Sequence, residues 1–521
     1  MNEMSVERRS GGRKTRKARR AAAPGPSSAV RPGMEGGAYK PLDMSGMLRI
    51  HRAALDVLDG IGMAGAIPTC VELVAAAGGR LDEHGRLRFP RALVEDTLAG
   101  ANRTFVLHAQ DPDRDIEVAG RKVHYGTAGA AVHIVGWSGD DYRDSTLNDL
   151  YDIARLVDRL DHIHFFQRPV VARDLIDPRE LDVNTVYACI AGTTKHVGTS
   201  FARPEHLDES VAMLDMVAGG EGRFRRRPFV SMSSCFVVPP LRFAEDACRT
   251  LEAAVRAGMP VLLLSAGQAG ATSPSALAGS VVQSVAEALA GLVYVGLMAP
   301  GHPAIFGTWP FISDLRTGAM SGGSGEQALL MAACAQMGNF YDLPTGVAAG
   351  MADAKIPDAQ SGYEKGYSTA LAGLAGANLI YEAAGMQGSL LGASYESYVI
   401  DNDMLGAVLR TVRGIEVTDE TLSVEVMREV ATGPGHYLGH RQTLELMEKE
   451  YVYPTVGDRD SPGDWARKGG TDVRQRARAK VSEILAVHYP DHIGGELDGR
   501  IRERFPIALS AAAMRPGGGR W

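Results

Sequence analysis

Eight short β-rich runs recur through the middle of this 521-residue chain, and their spacing limits the folds that it can adopt. They occupy residues 124–127, 163–171, 195–201, 228–236, 260–265, 303–309, 345–350 and 378–384. From the second run to the eighth, successive starts lie 32 to 43 residues apart, about the length of one strand-plus-helix unit. Amphipathic stretches such as 146–160, 204–217 and 275–297 fill the intervals. The pattern predicts an α/β protein built as a closed parallel (β/α)₈ barrel, the TIM-barrel architecture.

An open, doubly wound sheet is the rival architecture for such a pattern. It is disfavoured because no strand-like run is followed by GxGxxG with an acidic residue downstream. Helical periodicity before and after the barrel completes the predicted organisation. We expect a disordered basic tail over 1–38, an N-terminal helical cap over 39–110, the barrel over 111–405 and a C-terminal helical extension over 406–521.

The charge distribution excludes some classes of protein. Residues 1–40 carry ten Lys and Arg against three Asp and Glu, whereas the remainder carries 45 against 59. An acidic body argues against a nucleic-acid-binding protein, because phosphate binding needs a concentrated cationic surface. No uninterrupted apolar run reaches about 18 residues, and the basic start leads into AAAPGPSS, so neither a membrane span nor a secretory signal is expected.

The five cysteines are scattered and form no CxxC pair. This spacing predicts neither a structural zinc site nor a disulfide framework, and it fits the reducing cytoplasm. We therefore expect a cytoplasmic protein without an intrinsic metal. We also expect a homo-oligomer.

Active sites of (β/α)₈ barrels lie at the carboxyl ends of the strands, which makes the residues there the first candidates. HxH, HExxH and GxSxG motifs are absent from these positions, so metal-dependent hydrolysis and serine-nucleophile chemistry lose support. Cys235 is interpreted as a small buried cysteine rather than a nucleophile. The candidates are Gly126, Thr127, Gln167, Arg168, Thr199, Ser200, Ser234, Cys235, Ser265, Gln268, Trp309, Met351, Asp353 and Glu382.

Three further patterns each have a purely structural and a functional interpretation. Gln283 and Glu287 stand at i, i+4 in an apolar helix, where they serve either a helix contact or a cavity. Asp353 and Lys355 follow an apolar strand and form either a salt bridge or part of a site. Aromatic residues near the strand ends either pack in the core or form a box for a quaternary ammonium group.

Several long segments together resemble the trimethylamine:corrinoid methyltransferase family. They include YKPLDMSGMLRIHRAALDVLDGIGM, LAGSVVQSVAEALAGLVY, GTWPFISDLRTGAMSGGSGEQ, AGMADAKIPD, SYESYVIDNDMLG and GPGHYLGHRQTL, and the resemblance covers roughly residues 38–490. It implies a barrel enzyme that moves a methyl group from a methylated amine to the cobalt of a corrinoid (cobalamin). The corrinoid is carried by a separate small protein.

The resemblance includes one departure. The archaeal enzymes carry pyrrolysine in the turn written here as AGMADAKIPD, and this chain has Met351 at that position. Members without pyrrolysine are similar to the glycine betaine:corrinoid methyltransferases. This agrees with the chemistry, because a quaternary ammonium already has a neutral amine as leaving group. Its enzyme mainly has to orient and desolvate the substrate.

Carried over to this chain, the resemblance implies two groups of site residues. The catalytic group is Met351, Asp353, Lys355, Glu287 and Gln283, and the substrate-binding group is Trp309, Phe311, Tyr341, Tyr363, Tyr395, Arg168 and Glu326. Two alternatives stay open at this point. One is a barrel methyltransferase that uses a folate or another one-carbon acceptor, and the other is a catalytically silent binding or scaffold protein.

Overall fold

The computed structural model describes residues 28–137, 141–517 and 520–521. These residues fall into two compact units, one comprising 28–31 with 414–453 and the other comprising 32–413 with 454–521. The sheet and the candidate site belong to the second unit. The predicted disorder of the first 27 residues lies outside the described part of the chain.

Twenty short strands occur among the described residues. They are β1 (Met34–Glu35), β2 (Met63–Ala64), β3 (Arg80–Leu81), β4 (Arg86–Arg88), β5 (Phe105–Leu107), β6 (Ile116–Val118), β7 (Lys122–Tyr125), β8 (His133–Val135), β9 (Tyr142–Asp144), β10 (Phe166–Gln167), β11 (Val197–Thr199), β12 (Val230–Ser234), β13 (Val261–Ser265), β14 (Gln268–Ala269), β15 (Ala304–Thr308), β16 (Phe311–Ile312), β17 (Thr345–Ala348), β18 (Leu379–Tyr381), β19 (Met386–Gln387) and β20 (Gly392–Ala393).

Seventeen α-helices accompany them in the same residues. They are α1 (Met44–Gly60), α2 (Pro68–Ala76), α3 (Arg91–Gly100), α4 (Leu147–Asp158), α5 (Pro178–Gly192), α6 (Pro204–Val217), α7 (Arg223–Arg226), α8 (Glu245–Ala257), α9 (Leu277–Met298), α10 (Gly325–Tyr341), α11 (Ala359–Ala375), α12 (Tyr395–Arg413), α13 (Val424–Ala431), α14 (Arg441–Leu446), α15 (Pro462–Arg467), α16 (Val473–Val487) and α17 (Gly495–Arg504).

A curled, nine-stranded sheet forms the centre of the second unit. Its order is β1-β7-β18-β17-β15-β13-β12-β11-β10. All neighbours from β7 to β10 are parallel, and β1 adds to β7 in the antiparallel direction. A parallel bridge between Gly126 and Phe165 connects the segment after β7 with the segment before β10, at the other end of the sheet. Each of the eight predicted runs overlaps one of the eight parallel strands.

Most residues of the parallel strands are buried because both faces of the sheet are covered. All five residues of β13, for example, are buried. Several of the following helices start at a capping side chain: Thr146 and Asp149 form a capping box at α4, and Ser324 and Asp358 cap α10 and α11. The caps fix where each helix begins and so bring the connecting loops to the carboxyl edge of the sheet.

The N-terminal region contains more sheet than the sequence predicted. Helices α1, α2 and α3 pack against α9, as expected of a helical cap. Between them lie an antiparallel β2-β4-β3 sheet and the β5-β6 pair. Strand β1 falls within the range predicted to be a disordered tail, and α12 continues across the predicted boundary at residue 405. Strands β1 to β6 have two or three residues each, which is too few to show the two-residue period of a strand in the sequence.

Helix α9 is long and apolar enough to cross a membrane by length and composition alone. In the structure, however, 78% of its most apolar window is buried inside the protein. Helices α1, α3 and α10 and strand β15 pack around it. Its apolar surface is therefore explained by its central position among these elements.

Candidate active site

A cavity of about 380 Å³ opens among the segments that follow the carboxyl ends of the parallel strands. This volume suits a small organic molecule. Its wall combines aromatic rings, one guanidinium, one carboxyl group and one thiol with small polar side chains. The lining residues include Gln167, Arg168, Ser200, Ser234, Cys235, Trp309, Phe311, Glu382 and Leu390.

Trp309 forms a rigid aromatic wall of this cavity. It follows β15, is 5% exposed, and donates a hydrogen bond from Nε1 to the carbonyl oxygen of Gly346 at 2.9 Å. Its ring centroid lies 5.3 Å from that of Tyr381 and 6.4 Å from that of Phe311. Because these contacts hold the indole from several sides, its ring presents a fixed, electron-rich surface toward the cavity.

Arg168 supplies the cation of the cavity. Its Nη2 donates to Ser200 Oγ at 3.2 Å, while its buried Nε finds no hydrogen-bond acceptor in the described part of the chain. Burial lowers the pKa of the guanidinium from its usual value, but an arginine stays charged in proteins. A buried, charged donor without an acceptor is costly, so the cavity is suited to an anionic group.

Glu382 supplies the carboxyl group. It is one of the strand-end candidates, but neither group of site residues implied by the resemblance includes it. It directly follows β18, is 2% exposed, and its Oε2 has no hydrogen-bond partner among the residues that the structure describes. Burial raises the pKa of this carboxyl group to about 8. At neutral pH Glu382 is therefore mostly an uncharged carboxylic acid.

The loop that carries Glu382 is held from several sides. Glu382 itself has a left-handed backbone, with φ at 63°. The next residue, Ala383, donates its N–H to the carbonyl oxygen of Gly126 at 3.0 Å. Further along, Asp401 Oδ2 accepts the N–H of Gly385 at 2.8 Å and is paired with Lys365 Nζ at 2.7 Å. These contacts stabilise an unfavourable backbone conformation at a cavity residue.

Gly350 allows the loop after β17 to touch the loop that carries Glu382. Its φ is +108°, and a Cβ placed on it would lie 2.7 Å from Ala383 Cα and 2.9 Å from the carbonyl oxygen of Glu382. Only glycine fits such a backbone-to-backbone approach. The two loops therefore form one structural unit.

Cys235 lies exposed at the cavity, which corrects the expectation of a buried strand-end cysteine. It follows β12, where the chain leaves the sheet and the side chain can reach the open edge. Burial of the sulfur raises the pKa of the thiol, while the charge of Arg168 lowers it and Glu382 raises it. Arg168 and Glu382 thus both lie near the sulfur, and the thiol form prevails at neutral pH.

The turn that contains Met351, Asp353 and Lys355 was predicted to be catalytic. It is hydrogen-bonded to two neighbouring loops, and it directly follows Gly350, which contacts the loop that carries Glu382. Met351 is fully buried, and Asp353 Oδ2 accepts a hydrogen bond from Ser321 Oγ at 2.7 Å. Asp353 also accepts one from Ser389 Oγ. Lys355 is exposed, and its Nζ donates to the backbone carbonyl of Asp353, so the two side chains do not form the expected salt bridge. None of these three side chains is part of the cavity wall described above.

Gln283 and Glu287 contact each other on α9, as their spacing predicts. Gln283 Nε2 donates to Glu287 Oε1 at 3.1 Å and to the carbonyl oxygen of Thr272 at 2.9 Å. Glu287 also accepts from Ser265 Oγ at 2.6 Å and from the N–H of Leu241 at 2.8 Å. Burial raises the pKa of Glu287, and these hydrogen bonds oppose the rise. The pair thus joins the loops after β12 and β13, through Leu241 and Thr272.

Four other predicted substrate-binding residues lie away from the cavity. Tyr341 ends α10 and contacts Phe306 and His51. Tyr363 is 60% exposed on α11, and Glu326 is exposed in the first turn of α10. Tyr395 donates to Asp149 Oδ1 at 3.0 Å on the outer helical layer. Helix α10 carries Tyr341 away from the strand ends, whereas Glu326, Tyr363 and Tyr395 lie near the starts of their helices but outside the cavity wall.

Comparison with known proteins identifies the family. The family model described as trimethylamine methyltransferase (MTTB) matches residues 9–505. The trimethylamine methyltransferase of Methanosarcina thermophila is 35% identical over 453 residues, covering 86% of this chain and 93% of the relative. The chain belongs to the trimethylamine methyltransferase family.

Within this family, the glycine betaine methyltransferase of Desulfitobacterium hafniense is 29% identical over 464 residues, covering 89% of this chain and 96% of the relative. Among solved structures, the monomethylamine methyltransferase of Methanosarcina barkeri gives a TM-score of 0.48 at 11% identity, over 85% of this chain and 90% of that one.

Membership of the trimethylamine methyltransferase family confirms the predicted methyltransferase activity. The family match also begins at residue 9, within the basic segment that the sequence analysis placed outside the resemblance. The roles assigned to individual site residues stay predictions.

Proposed function

We propose that this methyltransferase takes a methyl group from a quaternary ammonium compound that also carries a carboxylate, of which glycine betaine is the simplest. The methyl acceptor is the cobalt of a corrinoid held by a separate protein in the cytoplasm. The sheet order and the Gly126–Phe165 bridge support a closed (β/α)₈ barrel as the scaffold.

One observation carries the choice of substrate: the cavity combines a charged, incompletely bonded Arg168 with the rings of Trp309 and Phe311. A trimethylammonium group cannot donate a hydrogen bond, and ring faces attract such a cation. A guanidinium binds a carboxylate by charge-assisted hydrogen bonds. The two ends of a betaine thus match the two kinds of wall.

The chain's own residues supply position and environment for the reaction. Trp309 and Phe311 hold the cationic head, and Arg168 fixes the carboxylate, so one N-methyl group can face the open end of the cavity. Water is kept out by the walls. Cobalt(I) in the corrinoid is the nucleophile, and the cavity needs no further group to activate a quaternary nitrogen.

The corrinoid protein is proposed to dock over the cavity mouth. Four aliphatic side chains in segments that follow the carboxyl ends of the parallel strands are more than half exposed: Ile176, Val238, Leu315 and Leu391. Exposed aliphatic side chains grouped on one face are typical of a protein contact. Leu391 adjoins Leu390, which lines the cavity, so a protein on this face reaches the transferring methyl group. We call these four residues the docking rim.

A second candidate substrate is trimethylamine, because a curated relative named for it is 35% identical to this chain. The aromatic wall suits both compounds, but trimethylamine has no carboxylate for Arg168.

Isothermal titration of the purified protein with glycine betaine, choline and trimethylamine separates the candidates. We expect glycine betaine to bind most tightly. A second assay supplies the reduced corrinoid protein and follows methylation of its cobalt by absorbance. Transfer from trimethylamine with none from glycine betaine would refute the proposed substrate and select the second candidate. Transfer to a folate without a corrinoid would refute the proposed acceptor.

A further inference from the structure

The carboxyl group of Glu382 lies in the cavity, and orienting the substrate does not explain why it is there. Its carboxyl group lines the cavity, is almost fully buried, and leaves Oε2 without a hydrogen-bond partner among the described residues. A buried polar atom without a partner costs free energy, and cavity residues keep such atoms when a ligand satisfies them. We therefore expect the substrate or the product to supply the hydrogen-bond partner of Glu382 Oε2.

We propose that Glu382 is the general acid that protonates the tertiary amine released when the methyl group leaves. This proposal rests on the proposed function, since it assumes a quaternary ammonium substrate. It assigns to the reaction a residue outside the turn of Met351, Asp353 and Lys355.

The bonds and charges of the step balance. Cobalt(I) contributes the electron pair that forms the new bond to the methyl carbon, and the carbon–nitrogen bond breaks with its electron pair left on nitrogen. That nitrogen becomes a neutral tertiary amine with a basic lone pair. The lone pair takes the proton from the Glu382 carboxyl oxygen, which leaves an ammonium paired with a carboxylate. The protonated product is no longer a nucleophile and cannot recover the methyl group.

The charged and titratable neighbours favour this role. Arg168, after β10, and Cys235, after β12, line the same cavity. Tyr381, the last residue of β18, directly precedes Glu382. The Lys365–Asp401 pair holds the following Gly385. The uncharged acid adds no second anion to the cavity, and the Arg168 guanidinium is left to bind the carboxylate of the substrate. Because burial holds the pKa of Glu382 at about 8, the acid is in its proton-donating form at neutral pH.

The first test counts protons in binding, with no corrinoid present. Titration calorimetry in buffers of different ionisation enthalpy measures the protons released at pH 7 by glycine betaine and by its demethylated product, N,N-dimethylglycine. The product enters as an ammonium, so forming the ammonium–carboxylate pair must expel the proton of Glu382. We expect release of roughly one proton for dimethylglycine and close to none for glycine betaine.

The variant Glu382→Gln is shaped like the protonated acid and cannot release a proton. We expect it to bind glycine betaine with unchanged affinity, to bind dimethylglycine about tenfold more weakly, and to release no proton with either. Glu83→Gln, at a side chain that is 88% exposed, is the matched control and should behave as the unaltered protein. Thermal melting of both variants shows whether the fold is kept.

The second test is the pH profile of single-turnover methyl transfer. The unaltered enzyme should be fastest below about pH 8 and slow down as Glu382 loses its proton above that pH. In Glu382→Gln this decline should disappear, because the amide cannot lose a proton.

The outcomes separate the two proposals. If glycine betaine binds and is demethylated, but dimethylglycine releases no proton or Glu382→Gln releases as many, the role of Glu382 is wrong and the proposed function stands. If neither compound binds, both proposals are wrong.

Discussion

Replacing Arg168 by methionine should change the affinity for two related ligands in opposite directions. Methionine keeps an unbranched apolar side chain but removes the cation. Glycine betaine and choline share the trimethylammonium head, and only glycine betaine has a carboxylate. The substitution therefore tests whether Arg168 binds the carboxylate or only supports the cavity wall.

The expected magnitudes follow from the contacts of Arg168. Only its hydrogen bond to Ser200 joins the guanidinium to a protein acceptor in the described residues, which leaves Nε and other N–H groups for a ligand. Removing one partner of a desolvated, hydrogen-bonded charge pair costs about 2–5 kcal/mol, so the affinity for glycine betaine should fall roughly 30-fold or more.

For choline the sign reverses, because the guanidinium repels the quaternary cation. Two like charges roughly 8 Å apart at an effective dielectric constant near 20 repel by about 2 kcal/mol. Removing Arg168 should therefore tighten choline binding by up to roughly 30-fold.

Isothermal titration at fixed ionic strength measures both affinities. The control is Arg256→Met, which removes a cation from a side chain that is 68% exposed on α8. Equal weakening of glycine betaine and choline would show that Arg168 only maintains the cavity, and unchanged binding of both would place the ligand elsewhere. Either result would show that Arg168 does not bind the carboxylate of the substrate.

Three further substitutions test other parts of the site. Trp309→Ala should weaken glycine betaine binding about tenfold or more in the same titration, because a desolvated cation–ring contact contributes about 2 kcal/mol, while Trp309→Phe should keep most of it. Gly350→Ala should lower the melting temperature and abolish the proton release that accompanies dimethylglycine binding, because the new Cβ would clash with Ala383. The control is Gly78→Ala, at a glycine that also has a positive φ but has open space around it. Leu391→Glu, alone or with Leu315→Glu, should slow methyl transfer to the corrinoid protein and leave glycine betaine binding unchanged; equal transfer rates would refute the docking rim.

The sequence predicted the eight parallel strands because short β-rich runs recur at about the length of one strand-plus-helix unit. It also predicted that Arg168 and Trp309 would lie at one edge, since parallel strands place their carboxyl ends together. The short strands β2 to β6 escaped prediction, because two or three residues show no period and their pairing depends on tertiary contacts.

Residues near a strand end in sequence were harder to place when a helix lay between. Helix α10 has 17 residues and is about 25 Å long, so it carries Tyr341 to the opposite end of the strands from Ser324. Glu382 was visible among the strand-end residues, but its missing hydrogen-bond partner and left-handed backbone were not. Both depend on how the loops after β7, β17 and β18 meet in space.

The contact at Gly350 also bears on how this family can change its substrate. Met351, at the position that the resemblance equates with pyrrolysine, directly follows Gly350, whose backbone touches that of Glu382 and Ala383. The residue at 351 can therefore be exchanged during evolution while the main chain beneath it keeps the Glu382 carboxyl group in place. The contact joins main-chain atoms of the two loops, so it does not itself depend on which side chain stands at residue 351.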